Sequence, residues 1–147
     1  MMRIFDRLKG VAAAPGNIDL QLAKDIFQPG EELEFSFTVD ATGQVKGKQV
    51  AVRLRAREEV RLSVTDEEGH TSTEQETTET YRDDLQLSGP LEMEAGESAS
   101  FEGRMRIPSN AQPTYEGKNA NHRWYITALV DIPMGKDIAE QQEIFVR

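Results

Sequence analysis

The sequence predicts an all-β protein: one antiparallel β-sandwich of seven or eight strands, preceded by a short N-terminal helix. Three observations carry that expectation. Apolar and polar residues alternate with period two through most of residues 15–147, the mark of strands with one buried face. Clusters of Pro, Gly and Asp recur between the alternating runs, as turns between short strands require. Beyond Pro15 no run has the spacing of a helix.

The helix comes first. Met1, Ile4, Phe5, Leu8 and Val11 fall at i, i+3, i+4 and i+7 spacing and form one apolar stripe. Arg3, Arg7 and Lys9, with a single acid at Asp6, lie off the stripe. Residues 1–14 thus read as an amphipathic, basic segment, and residues 15–147 as a single β-sandwich domain. Pro15-Gly16 ends the helix.

Strands follow. Ile18, Leu20 and Leu22 alternate with polar residues. Gln28-Pro29-Gly30-Glu31 is a turn, with Pro setting φ and Gly supplying a positive φ. Leu33, Phe35, Phe37 and Val39 alternate with Glu34, Ser36 and Thr38, the clearest half-buried strand in the chain. Ala41-Thr42-Gly43 and Lys46-Gly47-Lys48 bracket the next turn. Val50, Val52, Leu54, Ala56, Val60, Leu62 and Val64 then share one parity, broken only at Glu58. They predict one long strand, bent or bulged near Glu58-Glu59.

Asp66-Glu67-Glu68-Gly69 reads as a hairpin loop. If it is, paired residue numbers sum to about 135, which sets Leu54 opposite Tyr81 and Arg61 opposite Glu74. The return run, Thr71 to Tyr81, has five threonines, three glutamates and no aliphatic residue, so it reads as a solvated strand. Leu85 and Leu87 lead to the turn Ser88-Gly89-Pro90. Ala99, Phe101, Gly103, Met105 and Ile107 alternate up to Pro108. Pro108 and Pro113 lack an N–H for a ladder and shape a loop. His122, Trp124, Ile126, Ala128 and Val130 then share a face, and the loop can fold over Trp124, which is expected to be buried. Ile132 to Asp137 is a turn, and Ile144 and Val146 close the last strand. The whole pattern is that of an immunoglobulin-like sandwich.

Composition narrows function. The net charge of −9 argues against nucleic acid as a partner, since phosphate binding needs clustered Lys and Arg. The chain has no cysteine, which removes disulfides, thiolate chemistry and the commonest zinc ligand. No apolar run approaches the ~20 residues needed to span a bilayer, and the N-terminus lacks a secretory core. The expected location is the cytoplasm. His70 and His122 are far apart in sequence and neither pairs with a nucleophile; no phosphate cradle, GxSxG, HExxH or EF-hand loop is present. No catalytic residue, cofactor or metal is therefore expected.

Charge is uneven. Residues 58–84 hold ten acids and two arginines. Such a run protects an edge from aggregation or steers a basic partner.

Several segments together resemble arrestin-like proteins. They are Pro29-Gly30-Glu31, the Val50–Arg57 strand, Ile107-Pro108, Pro113-Thr114-Tyr115-Glu116-Gly117, and Trp124-Tyr125-Ile126-Thr127-Ala128 before Asp131-Ile132-Pro133. The similarity is to the N-terminal half, and within the family to the bacterial sporulation-control branch. It implies an arrestin-like fold and a non-enzymatic adaptor, scaffold or regulatory role through protein contacts. The family usually has two sandwiches in tandem, whereas this sequence holds one. The other function class considered is a calcium-dependent sandwich binding membrane or carbohydrate through acidic loops. The candidate interaction surface is the stripe Ile4, Phe5, Leu8 and Val11, expected to dock on a protein partner or to join copies in a weak homo-oligomer, rather than to lie on a membrane.

Overall fold

Period-two alternation becomes strand throughout the residues described by the computed structural model, 13–147. Among them are eleven strands and no helix. Seven are long: β1 (Gly16–Leu22), β3 (Glu32–Ala41), β5 (Gln49–Thr65), β6 (Thr71–Ser88), β8 (Ser98–Arg106), β10 (Ala120–Asp131) and β11 (Ile138–Val146). Four are short: β2 (Ile26–Phe27), β4 (Val45–Gly47), β7 (Leu91–Met93) and β9 (Tyr115–Glu116). The helix expected over residues 1–14 falls almost wholly outside the described residues, and with it Ile4, Phe5, Leu8 and Val11.

Two sheets supply the layers. The smaller has the order β1-β3-β8; the larger runs β2-β11-β10-β5-β6, with β9 added to β10. A two-stranded ribbon, β4-β7, forms where the sequence marked only a turn. Pairing is antiparallel except between β11 and β2. The inward residues of both sheets join in one core: Leu33, Phe35, Phe37 and Val39 from β3, Val52 and Leu54 from β5, and Trp124, Ile126 and Ala128 from β10. Strict alternation on β3 and β10 is what this two-layer burial demands. The Pro29-Gly30 turn forms as read: Gly30 has φ 85°, and the Glu31 N–H donates to the Gln28 carbonyl at 3.0 Å.

One edge of the smaller sheet is closed by side chains. On β11, Ile138, Glu140, Gln142, Ile144 and Val146 share the inward parity. The two polar members reach the backbone of β1. The Leu20 N–H donates to Glu140 Oε1 at 2.6 Å, and Gln142 Nε2 donates to the Leu20 carbonyl at 2.6 Å. They do what a neighbouring strand would do, and so blunt an edge open to foreign pairing. Replacing both residues with Ala should cost roughly 1–3 kcal/mol, because a half-buried donor and acceptor lose their partners. Urea denaturation measures this; a change within error would show that water substitutes fully.

The long hairpin forms, with its register displaced from the expectation. Thr65 pairs Thr71 and Arg61 pairs Gln75, so residue numbers sum to 136 rather than about 135. Leu54 pairs Asp83, and Tyr81 lies opposite Ala56 instead. Two causes act. Asp66 organises a loop that includes His70: its carboxylate accepts from the Glu68 and His70 N–H groups at 2.9 and 2.8 Å. Then a bulge falls between Ala56 and Arg57, close to where a bend was expected, and leaves Thr80 as the extra residue on β6. β6 runs unbroken from Thr71 to Ser88, so Leu85 and Leu87 belong to the same strand as the threonine-rich run.

Candidate interaction surface

The ladder between β10 and β5 ends at Val60, but β5 and β6 do not. Beyond that level the two strands project as an arm of residues 61–75. Its base is anchored by a polar cluster around one buried histidine. His122 is 0% exposed, because it sits at core parity on β10 under the loop that Pro108 and Pro113 shape. Its Nδ1 lies 3.0 Å from the Pro113 carbonyl, which can only accept, so Nδ1 carries the proton. Nε2 then accepts from the Thr80 hydroxyl at 2.6 Å. Thr80 points there because the bulge turns it inward. Trp124 packs beside His122, edge-on at 6.0 Å, and its Nε1 donates to the Gln112 carbonyl at 2.8 Å. Tyr81 covers the other side of the indole at 5.4 Å.

Glu58 ties the base of the arm to the same loop. It accepts from the Tyr115 hydroxyl at 2.5 Å and lies 3.5 Å from Gln112 Nε2. The hydrogen bond to Glu58, with burial adding to it, holds the Tyr115 phenol above its ordinary range. Burial and the Asp83 carboxylate do the same to Tyr81. These polar groups tie the loop down over β10. Beside them lies a small cavity of about 180 Å³, lined by Thr80, Tyr81, Asn110, Gln112 and Trp124.

The arm has two unlike faces. Directly opposed residues of an antiparallel pair point the same way. The outer face begins with Arg53, Arg55 and Arg57 on β5. Arg53 meets Asp84 at 2.9 Å, Arg55 approaches Glu79 at 3.9 Å, and the Arg57 guanidinium lies over the Tyr125 ring at 4.8 Å. Burial alone would raise the Asp84 carboxyl, but hydrogen bonds from Arg53 and Arg82 outweigh it and hold it below its ordinary value. The stability this contributes is present at neutral pH and lost as pH falls through that lowered value.

The inner face continues the core parity into solvent. Val60, Leu62 and Val64 lie on it opposite Glu76, Glu74 and Ser72. Leu62 is 43% exposed and Val64 39%. The sequence counted these residues with the core series; the structure places Leu62 and Val64 past the end of the β10 ladder, which stops at Val60. The available signal was the return strand itself. A run with no aliphatic residue between Thr71 and Tyr81 cannot complete an apolar layer. Among the described residues neither Glu74 nor Glu76 has a basic partner within ion-pair distance.

The other expectations about chemistry find these places. His70 is exposed at the hairpin loop beside Asp66 and Glu68. The acids of 58–84 are spread along both faces of the arm, and no three metal-ligating side chains gather among the described residues. The outer face of the smaller sheet holds a shallow polar hollow of about 420 Å³, lined by Asp19, Gln21, Ser36, Thr38, Ser100 and Glu102. No helix among the described residues is long and apolar enough to cross a membrane.

Residues 14–146 match the family described as arrestin (or S-antigen), C-terminal domain. The chain belongs to that family. The arrestin-like resemblance read from the Pro-Gly-Glu turn and the Trp124 strand holds; it was read as the N-terminal half, and the matching family is described by its C-terminal domain. Among solved structures, the arrestin-family chain is similar to Spo0M, the sporulation control protein of Bacillus subtilis. The TM-score is 0.66 at 19% identity, over 92% of this chain and 50% of that one. This chain thus spans about half the length of that protein. It also overlays a Pseudomonas fluorescens alkylpurine DNA glycosylase, AlkC, bound to DNA containing an abasic site analog, with TM-score 0.49, 18% identity, and 97% and 33% of the two chains covered. No curated protein matches it in sequence.

Proposed function

We propose that this chain is a non-enzymatic arrestin-like interaction domain, an adaptor or regulatory module of the cytoplasm related to sporulation control. It engages a protein through the stripe Ile4, Phe5, Leu8 and Val11. The observation that carries the reading is how the family's fold is equipped here. Its buried polar groups, His122 and the Trp124 indole, serve loop closure, while a long two-stranded arm stands in solvent. The likeness to Spo0M supports the regulatory setting. Partner recognition falls to the N-terminal segment because it alone joins an apolar stripe to basic flanks, on a chain that is otherwise acidic.

The test compares the full chain with a Phe5→Glu/Leu8→Glu variant as bait in affinity capture, together with light scattering of each. A specific protein, or a second copy, should be held by the first and lost by the second. Retention of the same protein and the same mass by both would overturn the role of the stripe.

A further inference from the structure

We propose that residues 1–12 of one copy dock on the inner face of the β5–β6 arm of a second copy. This rests on the reading of the N-terminal stripe as an interaction segment, and names the surface that receives it.

The two surfaces are complementary in both respects that matter for docking. The arm offers two exposed apolar side chains, Leu62 and Val64, continuing from half-buried Val60 at its base, bordered by Glu74 and Glu76 on the paired strand. The segment offers Met1, Ile4, Phe5, Leu8 and Val11, bordered by Arg3, Arg7 and Lys9. Apolar contact supplies the attraction, and the charges set orientation and choice of partner. With a net charge of −9, two copies repel at long range. An association between them therefore needs a local patch of opposite sign, and residues 1–12 are where the sequence carries one.

Reach decides between the segment's own arm and that of a neighbour. Ala14 and Pro15 sit at the end of the sandwich away from the arm. Pro15 accepts from the N–H groups of Thr42 and Gly43. Gly16, which follows, lies beside Ile138, Ile138 pairs Val130 and Val130 pairs Val50. Climbing β5 from Val50 to Leu62 at about 3.3 Å per residue covers roughly 40 Å. Leu8, near the middle of the stripe, stands only six residues before Ala14. Fully extended, that length spans about 20 Å; as a helix it spans about 9 Å. With the stripe formed as a helix, even Met1 stands only about 20 Å from Ala14, so a helical stripe cannot lie along its own arm. It can lie along another copy's, head to tail or reciprocally.

The experiment uses the full-length chain in sedimentation analysis at low salt and at the highest soluble concentration. Self-association should be present, weaken as salt rises, and weaken at least tenfold in Leu62→Ser/Val64→Thr and in Glu74→Lys/Glu76→Lys. All four positions are exposed, and circular dichroism checks that each variant keeps its strands. The decisive arm is a mixture. Arg3→Glu/Arg7→Glu and Glu74→Lys/Glu76→Lys should each associate poorly alone, yet bind one another, because the acidic segment of the first meets the basic arm of the second. A monomeric wild-type chain would overturn the proposal. So would association untouched by the arm substitutions, or a mixture no tighter than its components. If Phe5→Glu/Leu8→Glu abolishes binding while the arm variants do not, the stripe keeps its function and only this receiving surface is wrong.

Discussion

Trp124→Ala should lower the free energy of unfolding by about 3–5 kcal/mol, the range for deleting a buried indole from a core that cannot collapse around the gap. The side chain is 1% exposed and lies among Tyr81, His122 and the inner residues of β10. Its loss opens a cavity under the loop and leaves the Gln112 carbonyl without its donor. For a domain whose whole stability is of order 5–15 kcal/mol, that is a large share. Trp124→Phe separates the two contributions: it keeps much of the packing and loses the hydrogen bond. Urea denaturation gives both values. A cost below about 1 kcal/mol for the alanine variant, or native fluorescence typical of hydrated indole, would contradict the assignment.

His122→Leu is the second large effect, at about 1–3 kcal/mol. Leucine fills much of the same volume, so little cavity forms. The cost arises instead from the two hydrogen bonds of the buried imidazole, to the Pro113 carbonyl and the Thr80 hydroxyl, both lost, at roughly 0.5–1.5 kcal/mol for each bond. Because the carbonyl belongs to the loop over β10, limited proteolysis within residues 108–117 should accelerate in parallel. Thr80→Val removes one of the two bonds from an exposed partner and should cost less than the leucine variant. An equal or larger cost would show that the Pro113 contact contributes nothing.

Both residues show what could be read beforehand. Parity on β10 placed His122, Trp124, Ile126, Ala128 and Val130 on one face, and all five are buried. Parity speaks clearly there because one side of the strand meets the opposite sheet and the other meets solvent. The same signal misled at Leu62 and Val64. It reports which way a side chain points, not whether anything lies opposite. Register was missed by a single residue, since Asp66 draws His70 into the loop through its carboxylate, a contact with no trace in hydrophobic pattern. Thr80 could not be singled out among five threonines, because only the bulge directs it to His122. The clasp on Leu20 was hidden for a related reason: Glu140 and Gln142 occupy core parity, and polar residues there read as the absence of a strand. The stripe Ile4, Phe5, Leu8 and Val11 was legible as a pattern, and the surface proposed to receive it only from the exposed arm.

The end of the β10 ladder at Val60 separates the arm from the sandwich in a way that bears on how such chains can vary. Below it, β5 is tied on both sides, by β10 and β6, and a change of length would break the core. Above it the strands chiefly hold each other. Residues could be gained or lost there in matched pairs, two from each strand, without reversing which face carries Val60, Leu62 and Val64. Each such step would move the loop at Asp66 by about 6.6 Å. A single unmatched residue would instead turn one strand's side chains over. The arm is thus a ruler graduated in units of two residues, whose span can be reset between relatives while the sandwich beneath it stays the same.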